Sequence, residues 1–200
     1  MSEATNQTRL GKRVVVTGIG GITALGHDWE AIAASLKAQK NCVVTMGEWD
    51  KYDGLNTRLA APISDFEVPS HYSRKKIRSM GRVSIMATRA SELALIDAGL
   101  LDDPIVSSGE MGIAYGSSTG STDAIIAFGD MLKTGDMSGV TATSYIRMMA
   151  HTTAVNVGVF FGLKGRIHTT SSACTSGSQG IGYAYEAIKY GHQTLMLAGG

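Results

Sequence analysis

Three times in this sequence a short apolar or extended run meets a turn of small residues and is followed by a helical stripe. That rhythm narrows the fold more than any composition figure. Val14-Val-Val-Thr17 runs into Gly18-Ile-Gly20-Gly21, Met111-Gly-Ile-Ala-Tyr115 into Gly116-Ser-Ser-Thr-Gly120-Ser121, and the extended stretch Arg166 to Thr170 toward the small residues Cys174 to Gly177. β-Branched and apolar runs halted by Gly read as buried strands ended by tight turns. After the first, Asp28 is placed to cap a helix in which Trp29, Ile32, Ala33 and Leu36 form one buried stripe. After the second comes Ala124 to Phe128, and after the third Ile181, Ala184, Tyr185 and Ile188, stopped by Gly191. Val83, Met86, Ala87, Ala90, Leu93 and Ala94 make the clearest helix, with Gly99 at a left-handed cap. A further helix is predicted from about Met148 to Phe161, an edge strand near Arg58 to Pro62, and a last buried strand over Leu195 to Ala198. Strands alternating with helices in this way predict an α/β layered fold with a mixed, largely parallel sheet.

Composition sets the remaining bounds. The chain has 200 residues, 44% hydrophobic and 18% charged, which suits one domain with a sizeable core. Eighteen Lys+Arg against 17 Asp+Glu leave a net charge of +1, so no global field favours nucleic acid or an anionic membrane. Cys42 and Cys174 are the two cysteines, too few for a secreted disulfide framework, which points to a reducing compartment. The polar start and the lack of an apolar run near the roughly 20 residues of a bilayer span predict a soluble, cytoplasmic protein. Residues 1–200 are expected to be one domain, and the end at Gly199-Gly200, directly after an apolar strand, reads as cut.

Cys174 lies in Ser171-Ser-Ala-Cys174-Thr-Ser-Gly177, between an extended segment and a helix. A helix start is one of the settings that favour thiolate over thiol, and thiolate is the nucleophile. Its small neighbours leave room for a substrate carbonyl, and its own backbone N–H can face a developing oxyanion. Free cysteines are also among the most buried residues. Local context alone weighs the two readings about evenly.

Several segments together resemble the β-ketoacyl-[acyl carrier protein] synthases of the elongating type, over their N-terminal half. They are Val14 to Gly20, Leu93-Ala-Leu-Ile-Asp-Ala-Gly-Leu100, Gly162-Leu-Lys-Gly165, and above all Ser172-Ala-Cys-Thr-Ser-Gly177 followed by Gly180 to Gly191 and Leu197-Ala-Gly-Gly200. The resemblance implies a thiolase-like fold and decarboxylative Claisen condensation, in fatty acid or polyene and polyketide synthesis, with Cys174 as the catalytic nucleophile. Cys174 would take an acyl group from acyl carrier protein. Malonyl carrier protein would then lose CO2, and its enolate would attack the acyl-enzyme. Two histidines and a lysine that the family carries later in its chain have no matching motif here. No cofactor is implied, since the substrates ride on the phosphopantetheine of acyl carrier protein. The expected assembly is a homodimer or a heterodimer with a related synthase subunit.

The resemblance assigns further residues. In Ser73-Arg-Lys-Lys-Ile-Arg78, Lys75 and Arg78 match positions that dock the acidic carrier protein, and Ser79 replaces a residue that is often basic; a bare charge run would otherwise read as a solvated helix start. Thr119, Ser144, Tyr145 and Ala173 would shape the acyl pocket. Thr119 stands where a bulky aliphatic is common, and Ser144-Tyr145 where an aromatic pair is usual, which points toward a bulkier or more unsaturated chain of the aryl-polyene type. Two alternatives belong to other classes. Gly116-Ser-Ser118-Thr-Gly120 is a literal G-x-S-x-G, so Ser118 with Asp123 or Asp130 and a later histidine would make an α/β hydrolase. A non-catalytic partner subunit would keep the fold without the nucleophile, and Cys174 argues against it. The five histidines match no metal spacing, no metal site is expected, and Gly18-Ile-Gly20-Gly21 lacks the third Gly or Ala of a dinucleotide fingerprint.

Overall fold

A computed structural model describes residues 11–200; the polar start read over residues 1–8 lies outside them. Strand β3 (Met111–Gly116) is central, flanked by β4 (Ile167–Thr170) and β5 (Leu195–Gly199), in the order β4-β3-β5 with both pairings parallel. The register pairs Ile113 with Ile167 on one side and with Leu197 on the other. Ile113 and Ala114 are wholly buried, because a central parallel strand is covered on both faces. A separate antiparallel pair joins β1 (Val44–Thr45) to β2 (Leu59–Ala60), which places the expected edge strand.

Helix α1 (Trp29–Lys37) begins where Asp28 accepts a 2.8 Å hydrogen bond from the Ala31 N–H, as its capping role requires. Four-residue α2 (Arg74–Ile77) leads to α3 (Arg82–Asp97), the clearest helix of the sequence, which ends on Gly99 at φ +69°. Short α4 (Ile105–Ser108) precedes β3, and α5 (Thr122–Thr134) follows it. Then come α6 (Ala142–Met148), α7 (Thr152–Phe161) and α8 (Ser176–Lys189).

Side chains alternate across a strand, so the two faces of β3 meet different helices. Gly116 and Ala114 meet α8, whereas Ile113 meets α7 at Gly158, with α3 packed behind α7. The core is Ala87, Leu95, Val106, Met111, Ile113, Val157, Leu163 and Leu197. This is the α/β layered architecture with a largely parallel sheet that the alternation predicts.

Four expectations are corrected. On α8 the apolar stripe is not the buried face: Ile181 and Tyr185 are exposed, while Gly180, Ala184 and Ala187 are buried, with Gly180 close against the backbone of β3 and β5. Val14 to Thr17 is not a buried strand: Val15 and Val16 are 65% and 79% exposed, and the segment pairs with no strand among the described residues. It is held instead by Lys12 N–H donating to the Lys189 carbonyl and by Gly18 and Gly20 lying against the backbone of α3. α1 is a helix, but its stripe is open, with Trp29 62% exposed. The helix expected from about Met148 to Phe161 begins later, at Thr152, because Met149 is extended, and a separate helix not expected from the sequence, α6, is started by the reciprocal Thr141–Ser144 capping box.

One buried carboxylate ties the connection before α2 to α3. Glu92 accepts from the Tyr72 hydroxyl at 3.1 Å, pairs with His71 at 2.6 Å and is engaged by Arg89. Burial pushes its carboxyl up, and the hydrogen bonds from His71, Arg89 and Tyr72 more than offset that, holding it below the usual carboxylate range. A lowered folded value means that this stabilisation is present above the carboxyl's unfolded pKa and is lost as pH falls through the folded one. In thermal unfolding, the advantage of wild type over Glu92→Gln should therefore be full at neutral pH and shrink in strong acid. A gap that stays constant with pH would contradict this.

Candidate active site

Both loops that carry candidate nucleophiles leave the carboxyl ends of adjacent parallel strands, where α/β sheets bind ligands. β3 and β4 end in register, Gly116 opposite Thr170, and the Ser117 N–H continues the pairing to the Thr170 carbonyl at 3.1 Å. The first loop holds Ser118 and Thr119, both exposed. The second holds Ala173 and Cys174, also both exposed, and α8 begins two residues after Cys174. Among the described residues Cys174 is exposed and not packed into their core.

The turn that presents Cys174 is sharp. Ala173 adopts φ +49°, a left-handed conformation uncommon for a residue with a Cβ. Buried Ser176 holds it from below: its hydroxyl accepts from the Ser172 N–H at 2.9 Å and donates to the Ala173 carbonyl at 2.7 Å. Thr175 donates to the Ser172 carbonyl at 2.6 Å, and Thr170 donates to the Ser176 carbonyl at 2.8 Å. Gly116 sits directly behind, where a Cβ would lie 2.4 Å from the Ser176 backbone. Only glycine lets β3 come this close. Cys174 is thus set on a hydrogen-bonded elbow between a parallel strand and a helix, a geometry suited to nucleophilic attack on a carbonyl.

Ser144 and Tyr145 lie together in an apolar cavity of about 120 Å3 between α5 and α6, with Phe128, Met131 and Met148 among its walls. Thr119 and Ala173 do not line that cavity; they stand on the two loops at the sheet edge. Lys75 and Arg78 are exposed and share a groove of about 640 Å3 with Lys76, Ile146, Val159 and Phe160. Among the described residues, Ser118 has no hydrogen bond to a histidine, and Asp123 is engaged by Arg147. His168 packs beside Tyr183, ring centroids 6.1 Å apart. No group of three or more His, Cys, Asp or Glu among the described residues is arranged to hold a metal ion. Ser176 and Gly116 shape the turn that presents Cys174, a role the sequence reading did not assign to them. Their only signal was the run of small residues around each turn.

Residues 11–200 match the family described as beta-ketoacyl synthase, N-terminal domain. The chain belongs to the β-ketoacyl synthase family. Among its relatives, 3-oxoacyl-[acyl-carrier-protein] synthase 1 of Haemophilus influenzae is 29% identical over 190 residues, covering 94% of this chain and 46% of the relative. The crystal structure of a beta-ketoacyl synthase from Burkholderia phymatum is 61% identical, with TM-score 0.90 over 94% of this chain and 46% of that one. A type II PKS ketosynthase, solved in complex with its acyl-carrier protein and bound to the hexaketide, is 26% identical, with TM-score 0.75 over 94% of this chain and 51% of that one. The fold is that of the ketosynthases, as the resemblance implied. The chain spans about half the length of the relatives it matches.

Within this β-ketoacyl synthase domain the elbow makes a direct prediction. Ser176→Ala removes two part-buried hydrogen bonds, from the Ser172 N–H and to the Ala173 carbonyl, each worth about 0.5–1.5 kcal/mol. Iodoacetamide labelling with peptide mass mapping should show Cys174 reacting before half-buried Cys42 in the wild type, and that preference should fall several-fold in Ser176→Ala. An unchanged ratio would show that the Ser176 hydroxyl does not hold the elbow.

Proposed function

We propose that this chain carries the nucleophile of a 3-oxoacyl-[acyl-carrier-protein] synthase. The observation that carries the reading is the exposed sulfur of Cys174, presented by a left-handed Ala173 on the elbow between β4 and α8. The Cys174 thiolate attacks the acyl thioester. The carbonyl oxygen gathers negative charge, to which the Cys174 N–H donates, and the carrier's pantetheine thiolate leaves with a proton taken from solvent. The acyl group is then a thioester on Cys174. Malonyl carrier protein loses CO2, its enolate carbon bonds to the acyl carbon, and the Cys174 sulfur departs as thiolate. The product is lengthened by two carbons and remains on the carrier.

The partner in this reading is acyl carrier protein, and its phosphopantetheine supplies the substrate arm, with no separate cofactor. Supporting it are the relatives named for that carrier, the ketosynthase solved with an acyl-carrier protein, and the basic groove at Lys75 and Arg78. In this reading Ser144 and Tyr145 shape the acyl pocket through their cavity, and Thr119 and Ala173, outside that cavity, flank the acyl chain near Cys174 from the two exposed loops at the sheet edge. The protein acts as a homodimer or with a related synthase subunit, in the cytoplasm. Among the described residues no helix is long and apolar enough to cross a membrane.

Two outcomes test this in the protein that carries the chain. Cys174→Ala should abolish condensation of acyl and malonyl carrier protein at unchanged thermal stability, while Ser118→Ala should leave most of the rate; the reverse pattern would favour the hydrolase. Opposite charge chiefly guides encounter and register. Lys75→Glu with Arg78→Glu should accordingly raise KM for acyl carrier protein and spare a small acyl thioester, whereas equal losses with both substrates would refute docking at α2.

A further inference from the structure

The basic cluster raises a question that its charges do not answer: what holds it in place. α2 is only four residues long, with no side-chain cap at its N-terminus and no acidic residue in its first turn. A helix this short does not repay its own nucleation and takes its orientation from what it is tied to. Among the described residues, Lys75, Lys76 and Arg78 make no ion pair with an acid, so their charges do not fix the helix either.

Two buried polar anchors flank it. On the N-terminal side, Tyr72 is 5% exposed and donates its hydroxyl to buried Glu92 on α3. The Tyr72 ring lies 4.6 Å from the ring of Phe160, which walls the groove, and the Lys76 ammonium stands 4.8 Å above that same Phe160 ring. On the C-terminal side, Asn156 of α7 is 6% exposed; its carboxamide accepts from the Ser79 hydroxyl at 3.0 Å and donates to the Ser79 carbonyl at 3.4 Å and to the Ser84 hydroxyl at 3.3 Å. Satisfied buried polar groups of this kind enforce one arrangement, because any other leaves them unpaired.

We propose that Tyr72 and Asn156 are positioning residues that lock the basic groove of α2 in the orientation its partner reads. The proposal rests on the carrier-docking reading above and deepens it. Tyr72 sets the Phe160 ring and through it Lys76, and Asn156 sets Ser79 and the Arg78 end. Neither residue lines the groove or touches the elbow of Cys174.

The test compares Tyr72→Phe, which keeps the ring against Phe160 and removes only the hydroxyl, with Asn156→Ala, Glu92→Leu, Glu92→Gln and the direct charge variant Lys75→Glu. Each is measured with acyl carrier protein, with a small acyl thioester, and by acetylation of Lys76 followed by peptide mass mapping. Tyr72→Phe should raise KM for the carrier roughly fivefold, the effect of losing one modest hydrogen bond, and Glu92→Leu and Asn156→Ala, which each remove several, should raise it at least as much. All three should leave kcat and both constants for the small thioester unchanged, and Tyr72→Phe and Glu92→Leu should alter the rate of Lys76 acetylation. Glu92→Gln retains an acceptor for Tyr72 and should keep the carrier KM near wild type. The proposal is overturned if Lys75→Glu raises the carrier KM while Tyr72→Phe does not, or if Tyr72→Phe slows both substrates alike. A silent Lys75→Glu would refute the docking reading instead. In that case altered Lys76 acetylation in Tyr72→Phe still supports the positioning role, and unaltered acetylation overturns it. Tyr72→Phe keeps the test decisive should Asn156→Ala fail to fold.

Discussion

The approach of Gly116 to Ser176 is the constraint on which the candidate site depends. With a side chain at the end of β3, the first turn of α8 would have to move, and the Ser176 hydroxyl would lose its place between the Ser172 N–H and the Ala173 carbonyl. That hydroxyl is what makes a left-handed Ala173 tolerable, since a strained backbone persists only where its surroundings over-determine it. The exposed position of Cys174 follows from the elbow, and the elbow follows from how closely the sheet and α8 pack.

The same logic recurs farther from the sulfur. Glu92 is a buried charge, a costly group that persists only with donors on it, and here three side chains supply them. Because one of those donors is Tyr72, a carboxylate on α3 reaches the groove through an aromatic contact. Core packing and surface charge are in this way coupled: the residues that present Lys75 and Arg78 are not themselves basic, and their contribution is geometric rather than electrostatic.

How much was legible in the sequence varies with what each segment packs against. β3, β4, β5, α3 and α8 were readable as elements, because each meets a neighbour in the sheet or the layer behind it. The buried faces of the two helices were not: α3 buries Ser84, Thr88, Ser91 and Glu92, and α8 buries Gly180, Ala184 and Ala187 while Ile181 and Tyr185 stay exposed. Val14 to Thr17 has the residues of a strand, yet β-branching records a capacity to pair and not the partner. α1 shows the same limit: Asp28 marked its start correctly, while the open Trp29 shows that amphipathicity does not name the surface that covers it. α6 went unread because Thr143, Ser144 and Arg147 interrupt its apolar residues, and its start is marked only by the Thr141–Ser144 capping box. At the site, Cys174 was visible through its motif, whereas Gly116, Tyr72 and Asn156 act through contacts between segments distant in sequence, which no local pattern records, and Ser176, though local, stood in a run of small residues that did not single out its hydroxyl.

The central claim is that Cys174 receives the growing chain as a thioester, and trapping that adduct tests it most directly. The protein carrying this chain would be mixed with acyl carrier protein bearing a saturated or polyene acyl group, without malonyl carrier protein, and analysed by intact mass and peptide mapping. The account predicts one acyl group per chain, on the Cys174 peptide and released by hydroxylamine. An acyl group mapped to Ser118, or no covalent adduct while condensation still proceeds, would contradict it.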